Sequence, residues 1–177
     1  MKFEERLQKA IHDVPNFPEP GIIFKDITGI WHDPELVREC VKRLADPFRE
    51  KNITKVIGIE SRGFLMGPML AQELNCSFVT VRKKGKLPRE TLNVSYELEY
   101  GNATIEAHQD AIVSGDRALI HDDLLATGGT AAAAARLTAL LGGETVGFCF
   151  IIRLLNLQGI QKLTPFSSDI ISLYSTQ

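Results

Sequence analysis

Ala118–Leu119–Ile120–His121–Asp122–Asp123–Leu124–Leu125–Ala126–Thr127–Gly128–Gly129–Thr130, running straight into Ala131–Ala135, confines this chain to few architectures. It reads as an apolar strand with two carboxylates at its end, a small-residue turn and a strong helix former. Strand feeding helix in this way belongs to an open α/β sheet, whose ligands gather at the carboxyl ends of the strands. The turn brings free backbone N–H groups and the positive end of a helix dipole to one point, where an anion fits. Gly128 and Gly129 permit positive φ and close backbone approach, while Thr127 and Thr130 add hydroxyl donors. Asp122 and Asp123 are poor neighbours for phosphate but good ones for sugar hydroxyls or a hard cation such as Mg²⁺. A sugar phosphate satisfies both ends. A purely structural connection accounts for the two glycines but not for two acids. The Walker A pattern is excluded because Gly129 is followed by Thr130 rather than Lys, and the three spaced glycines of the dinucleotide fingerprint are missing.

The rest of the chain alternates in the same manner. Phe3–His12 reads as a short amphipathic helix, closed by Pro15, Pro18 and Pro20. Asp33–Pro34 is an N-cap followed by proline and opens a helix to about Glu50. Strands are expected at Lys55–Glu60, Ser77–Arg82, Arg117–Asp122, Thr145–Ile152 and Asp169–Tyr174. Helices are expected at Gly63–Leu74, Gly129–Leu141 and Asn156–Leu163. Val94–Tyr100 and Ala103–Ala107 flank Gly101–Asn102 as a hairpin. This order predicts an α/β fold with a mostly parallel central sheet covered by helices on both faces. No repeat or linker divides the 177 residues, so one domain is expected over 1–177. A net charge of −2, from 20 basic and 22 acidic residues, gives no general pull toward nucleic acid or membrane. Cys40, Cys76 and Cys149 are odd in number and widely spaced, which suits neither a disulfide framework nor a zinc site. With no signal peptide or long apolar run, the cytoplasm is the expected location.

Four further segments carry chemistry. Ile59–Glu60–Ser61–Arg62–Gly63–Phe64 repeats the strand–turn–helix logic, and Arg62 with the helix-start N–H groups suits a second anion. Arg82–Lys83–Lys84–Gly85–Lys86–Leu87–Pro88–Arg89 is a basic loop, too short and too poor in aromatics for nucleic acid. Beside a highly charged ligand, such a mobile loop can close, neutralise charge and exclude water. In Ser95–Tyr96–Glu97–Leu98–Glu99–Tyr100–Gly101, alternation puts Glu97 and Glu99 on one face, leaving open which of them matters. Phe17–Pro18–Glu19–Pro20–Gly21–Ile22–Ile23–Phe24–Lys25–Asp26–Ile27 is proline-stiffened, with alternating apolar residues.

Taken together, and in this order, these phrases resemble the type I phosphoribosyltransferases, and their adenine-specific branch in particular, from about Phe17 to Gly159. The resemblance implies the type I fold, with a small N-terminal hood drawn mainly from residues 1–33. It implies a reaction in which adenine and 5-phosphoribosyl-1-diphosphate give AMP and pyrophosphate with Mg²⁺, in a homodimer that binds neither nucleic acid nor membrane. Asp122 and Asp123 then bind the ribose hydroxyls, and Ala126, Thr127, Gly128, Gly129 and Thr130 hold the 5-phosphate. Ser61, Arg62, Arg82, Lys83 and Lys86 face pyrophosphate, with a strained peptide bond often preceding the residue at Ser61. Ile23, Phe24, Lys25 and Leu154 face adenine: backbone groups of Ile23 and Lys25 recognise the base and Phe24 stacks on it. Glu99 assists loss of the N9 proton, Arg62 is the second catalytic residue, and Tyr100 belongs to the flap. Mg²⁺ arrives mainly through the substrate, with Asp122 or Asp123 as an alternative direct ligand.

Hypoxanthine-guanine relatives commonly carry an Asp where Ala126 stands, which favours adenine here. His121 and Arg153 depart from the family pattern; the residue reading of His121 is a packed strand histidine. Transfer to a 6-oxopurine is a competing reading within the enzyme class. A non-catalytic regulator sensing the donor is another, but it normally needs a DNA-binding domain or a basic face.

Overall fold

The computed structural model describes residues 1–97 and 101–177. Helix α1 (Phe3–Ala10) leads into strands β1 (His12–Pro15) and β2 (Ile23–Asp26), which pair antiparallel as a separate ribbon. There follow α2 (Pro34–Ala45), β3 (Lys55–Ile59), α3 (Gly63–Glu73), β4 (Ser77–Lys83), β5 (Thr91–Glu97) and β6 (Asn102–His108). The chain closes with β7 (Arg117–Leu125), α4 (Gly129–Leu140), β8 (Glu144–Leu154), α5 (Ile160–Leu163) and β9 (Ile170–Thr176). The main sheet has the order β5-β6-β4-β3-β7-β8-β9, parallel from β4 to β9 and antiparallel where the β5–β6 hairpin joins β4.

Both faces are covered, as the strand alternation requires. Leu119, Cys149 and Ile151 pack with Leu36, Leu44, Met66 and Leu70 of α2 and α3, whereas Ile120, Phe148 and Phe150 pack with Ala134 and Leu137 of α4. In α3, a side chain at Gly67 would place its Cβ 2.5 Å from the Phe78 ring, so the glycine makes room for β4 against the helix.

Several boundaries differ from the sequence reading: β5 begins at Thr91 rather than Val94, the last helix is only Ile160–Leu163 after a 3₁₀ turn at Leu155–Leu157, and three larger differences follow. The second helix stops at Ala45, because Pro47 removes the next backbone donor; a 3₁₀ stretch, Asp46–Lys51, takes over. The proline-stiffened hood segment, for which the sequence reading names no element, forms the β1–β2 ribbon and a 3₁₀ turn at Thr28–His32. The two acids lie inside β7 rather than at its end, since Leu124 and Leu125 remain paired with Ile152 and Arg153 of β8.

This topology locates the site. The crossover after β3 carries α3 toward β4, and the crossover after β7 carries α4 the other way, toward β8. Neighbouring strands β3 and β7 therefore form the switch point of the sheet, where a crevice opens at their carboxyl ends.

His121 is fully buried on β7, with Nδ1 3.1 Å from the Cys149 carbonyl oxygen and 3.5 Å from Cys149 Sγ. Burial lowers its pKa to about 4. Between the ordinary value of about 6.5 and that value, the unfolded chain takes up a proton that the native chain refuses, so stability falls as pH falls. The expected loss across this window is about 3 kcal/mol. Denaturant titrations at pH 7 and pH 4.5 should show a smaller acid loss in His121→Leu than in the parent. Equal losses would mean that His121 titrates normally in the fold.

Candidate active site

A cavity of about 410 Å³ opens at the switch point, lined by Glu60, Ser61, Arg62, Lys83, Lys86, Asp122 and Asp123. Four of these residues, Ser61, Arg62, Lys83 and Lys86, are those the sequence assigns to one anionic ligand, and the two acids those it assigns to its sugar or metal; Glu60 is an addition. The fold brings them together from the turn after β3, the end of β4 with the loop that follows it, and the later part of β7.

Two helices begin beside this crevice, and both begin uncapped. Neither Arg62 at the start of α3 nor Gly128 at the start of α4 makes a side-chain cap hydrogen bond, whereas Asp33 accepts from Glu35 and Leu36 N–H, both at 3.0 Å, at the start of the more distant α2. The first-turn N–H groups of α4 are thus left for a ligand, whereas in α3 Phe64 and Leu65 N–H donate to the Ser61 and Arg62 carbonyls and only the Gly63 N–H is left. Gly63 packs tightly on β7, where a Cβ would lie 2.9 Å from the His121 carbonyl oxygen and 3.3 Å from Asp122 Oδ1.

Asp122 and Asp123 diverge from adjacent positions. Asp123 N–H donates to Asp122 Oδ1 at 2.9 Å, and Arg62 Nε lies 3.0 Å from Asp123 Oδ2. That contact is close in distance but poorly aligned, and Asp123 Oδ2 is buried with no hydrogen-bond partner. Burial, reinforced by the Asp123 charge, raises the Asp122 pKa well above the usual carboxylate range; burial also raises that of Asp123, against the pull of Arg62. The pair has unfilled acceptor capacity, which hydroxyl donors or a cation would use.

Arg62 does more than face the cavity. Its guanidinium sits 4.6 Å from the centroid of the Phe24 ring, and Nη1 donates to the Lys25 carbonyl at 3.3 Å. It therefore ties the hood to the acidic pair. Phe24 also meets Phe17 edge-on at 5.1 Å, and Lys25 Nζ is held by Asp13 at 2.8 Å. Ile23 is exposed, and Leu154, at the end of β8, packs half-buried against the α2–α3 core. Arg153 stands half-buried opposite Leu125.

Arg82 is positioned differently from Lys83 and Lys86. Its guanidinium grips Glu60 through two bonds of 3.2 and 2.8 Å, and Nη1 donates to the Lys86 carbonyl at 3.0 Å. Glu60 also accepts from Lys83 N–H, and chiefly the Arg82 bond holds its carboxyl below the ordinary range. Arg82 shapes the loop, and the two lysines face the cavity. The Glu60–Ser61 peptide bond is cis.

The Ala126–Thr130 turn lies just beyond the cavity lining. Gly128 has φ +77°, and a Cβ there would fall 2.5 Å from the Gly159 carbonyl oxygen, so this glycine is demanded by the protein's own backbone as well as by any ligand. Tyr96 of the hairpin places its hydroxyl 3.0 Å from Thr130 Oγ1. Glu99 and Tyr100 lie outside the described residues. The residues missed by sequence reasoning are Glu60, Tyr96 and Glu106. Glu106 had at most a faint signal, a carboxylate on β6 flanked in the chain by the apolar Ile105 and Ala107.

The phosphoribosyl transferase domain family matches residues 29–163. The chain is 51% identical to adenine phosphoribosyltransferase of Myxococcus xanthus over 157 residues, covering 89% of this chain and 85% of the relative. The crystal structure of adenine phosphoribosyltransferase from Rhodothermus marinus superposes with a TM-score of 0.94 at 55% identity, over 98% of each chain. The enzyme from Saccharomyces cerevisiae, complexed with D-2,5-dideoxy-2,5-imino-altritol 1,6-bisphosphate and adenine, superposes with a TM-score of 0.89 at 39% identity, over 97% of this chain and 98% of that one.

Proposed function

Because this chain belongs to the phosphoribosyl transferase family, among the adenine phosphoribosyltransferases, we propose that it transfers the 5-phosphoribosyl group from 5-phosphoribosyl-1-diphosphate to adenine, giving AMP and pyrophosphate in purine salvage. The observation that carries this reading is the cavity that sets Asp122 and Asp123 against Lys83 and Lys86, between two uncapped helix starts and next to the Phe24 hood. Adenine bound to the yeast relative supports the choice of base.

In this reading the C1–oxygen bond to pyrophosphate breaks as the N9–C1 bond forms, and the electron pair leaves with pyrophosphate. Lys83, Lys86 and the Gly63 N–H at the start of α3 stabilise that departing charge. Asp122 and Asp123 hold the ribose hydroxyls and stabilise positive charge developing on the sugar. The α4 start, with Thr127, Gly128, Gly129 and Thr130, holds the 5-phosphate, and Ala126 leaves the turn without a titrating group. Phe24 and Leu154, with backbone groups of Ile23 and Lys25, hold adenine, while Ser61 and Arg62 order the pyrophosphate turn. Glu99 accepts the N9 proton, and Tyr100 covers the site.

Mg²⁺ fits these residues. The Asp123 Oδ2 atom is buried without a hydrogen-bond partner, and no group of three or more metal-ligating side chains exists among the described residues, so the ion would be held by Asp122 or Asp123 together with substrate oxygens. When bound, it would supply charge neutralisation for pyrophosphate. We place the enzyme in the cytoplasm as a homodimer. Three free thiols suit a reducing compartment, and exposed Leu65 and Met69 give α3 an apolar outer face. No helix among the described residues is long and apolar enough to cross a membrane.

Pyrophosphate release from donor and adenine tests the reading. Glu99→Gln should lower kcat about 100-fold, within the usual range for a lost general base, while leaving donor affinity nearly unchanged. Unaltered kcat would remove Glu99 from the chemistry.

A further inference from the structure

Glu106 is 3% exposed, on β6, between the hairpin and the basic loop. Its Oε1 accepts three backbone N–H bonds, from Gly85, Lys86 and Leu87, each at 3.0 Å. Its Oε2 accepts from Thr91 Oγ1 on β5 at 3.2 Å. Three convergent N–H groups make a nest that suits an anion, and here an internal carboxylate fills it. Gly85, at φ +85°, allows the turn that points these groups the same way. The Lys86 peptide is held from its other side as well, its carbonyl accepting from Arg82. The loop expected to be free and mobile is pinned at its base, with Lys83 and Lys86 projecting from the pinned segment into the cavity.

We propose that Glu106 is a positioning residue for pyrophosphate: an internal anion that folds the Gly85–Leu87 backbone around itself and so presents Lys83 and Lys86 to the leaving group. The inference rests on the proposed function and adds to it a residue that never touches substrate. Burial works to raise the Glu106 pKa, but bonds from Leu87, Gly85, Thr91 and Lys86 outweigh it and hold the carboxyl below its ordinary value, so the anchor carries charge at neutral pH. Charged acceptors bind N–H groups more strongly than neutral ones, and a preordered loop spares the ligand the cost of ordering lysine side chains. Through Thr91, Glu106 also links the loop to β5 of the hairpin.

The test compares Glu106→Gln and Glu106→Ala by calorimetric titration with magnesium pyrophosphate and, separately, with AMP, whose proposed contacts are Asp122, Asp123, the Ala126–Thr130 turn and the hood. Glu106→Ala should weaken pyrophosphate binding about tenfold or more, the scale of hydrogen bonds lost to a charged group. Glu106→Gln, which keeps an acceptor but no charge, should weaken it about threefold. AMP affinity should stay within about twofold in both. If the Ala variant does not fold, the Gln variant carries the comparison. Unchanged pyrophosphate affinity, or a parallel loss for AMP, would overturn the assignment. Failure of the parent protein to bind pyrophosphate would instead remove the proposed function itself, and this inference with it.

Discussion

Asp122→Asn is expected to cut AMP formation by about 100-fold or more while making the protein more stable. The two effects have one origin. Burial and the neighbouring Asp123 raise the native pKa of Asp122 above its unfolded value. An acid shifted in that direction favours folding only while protonated. Above its unfolded pKa the unfolded chain ionises more readily, and the native state loses stability as pH rises. Asparagine removes the charge but keeps an oxygen for the Asp123 N–H, so the backbone contact survives. A gain of about 1–2 kcal/mol at pH 7, or roughly 2–8 °C in Tm for a chain of this length, is the expected size. The gain should shrink as pH is lowered, because Asp122 is then neutral in the parent too. A variant as active as the parent would dismiss the ribose-binding role; a lower Tm would show that the charge is well compensated in the ligand-free fold.

Gly128→Val should abolish donor binding, with at least a 100-fold rise in Kd, and should also destabilise the fold by several kcal/mol. A β-branched residue at φ +77° is strained whatever its surroundings. Its Cβ would also be driven into the Gly159 carbonyl, which belongs to rigid backbone and cannot swing aside as a side chain can. The start of α4 would then move, and its N–H groups would no longer converge. Titration with ribose 5-phosphate, alongside thermal melting, separates the two consequences. Near-parent affinity for ribose 5-phosphate would overturn the phosphate-turn assignment.

Much of this site is legible in the sequence because it is local. The acids, the glycine turn and the alanine helix lie within one short segment, and strand-to-helix periodicity fixes their order. Strand alternation also foretells both covered faces, and the helix-start pair Asp33–Pro34 holds where it was expected. What escapes is the pairing between distant segments. Arg82 reads as a ligand for an anion, yet it faces Glu60, and nothing in the basic loop announces that partner. Arg62 reads as a pyrophosphate contact, but the structure also stacks it on Phe24 and sets it beside Asp123, a meeting of three segments far apart in the chain. The role of Glu106 is hidden for the same reason, since three of its four partners are backbone groups with no side-chain signature. The strand end expected at Asp122 comes too early because acids resemble strand terminators, whereas pairing with β8 carries the strand to Leu125.

The most direct measurement offers the protein Mg²⁺ and 5-phosphoribosyl-1-diphosphate with adenine, hypoxanthine or guanine in separate reactions, and identifies the nucleotide formed. AMP from adenine, with no product from the two 6-oxopurines, is the expected result. Nucleotide from hypoxanthine or guanine, or none from adenine despite measurable donor binding, would contradict the proposed reaction.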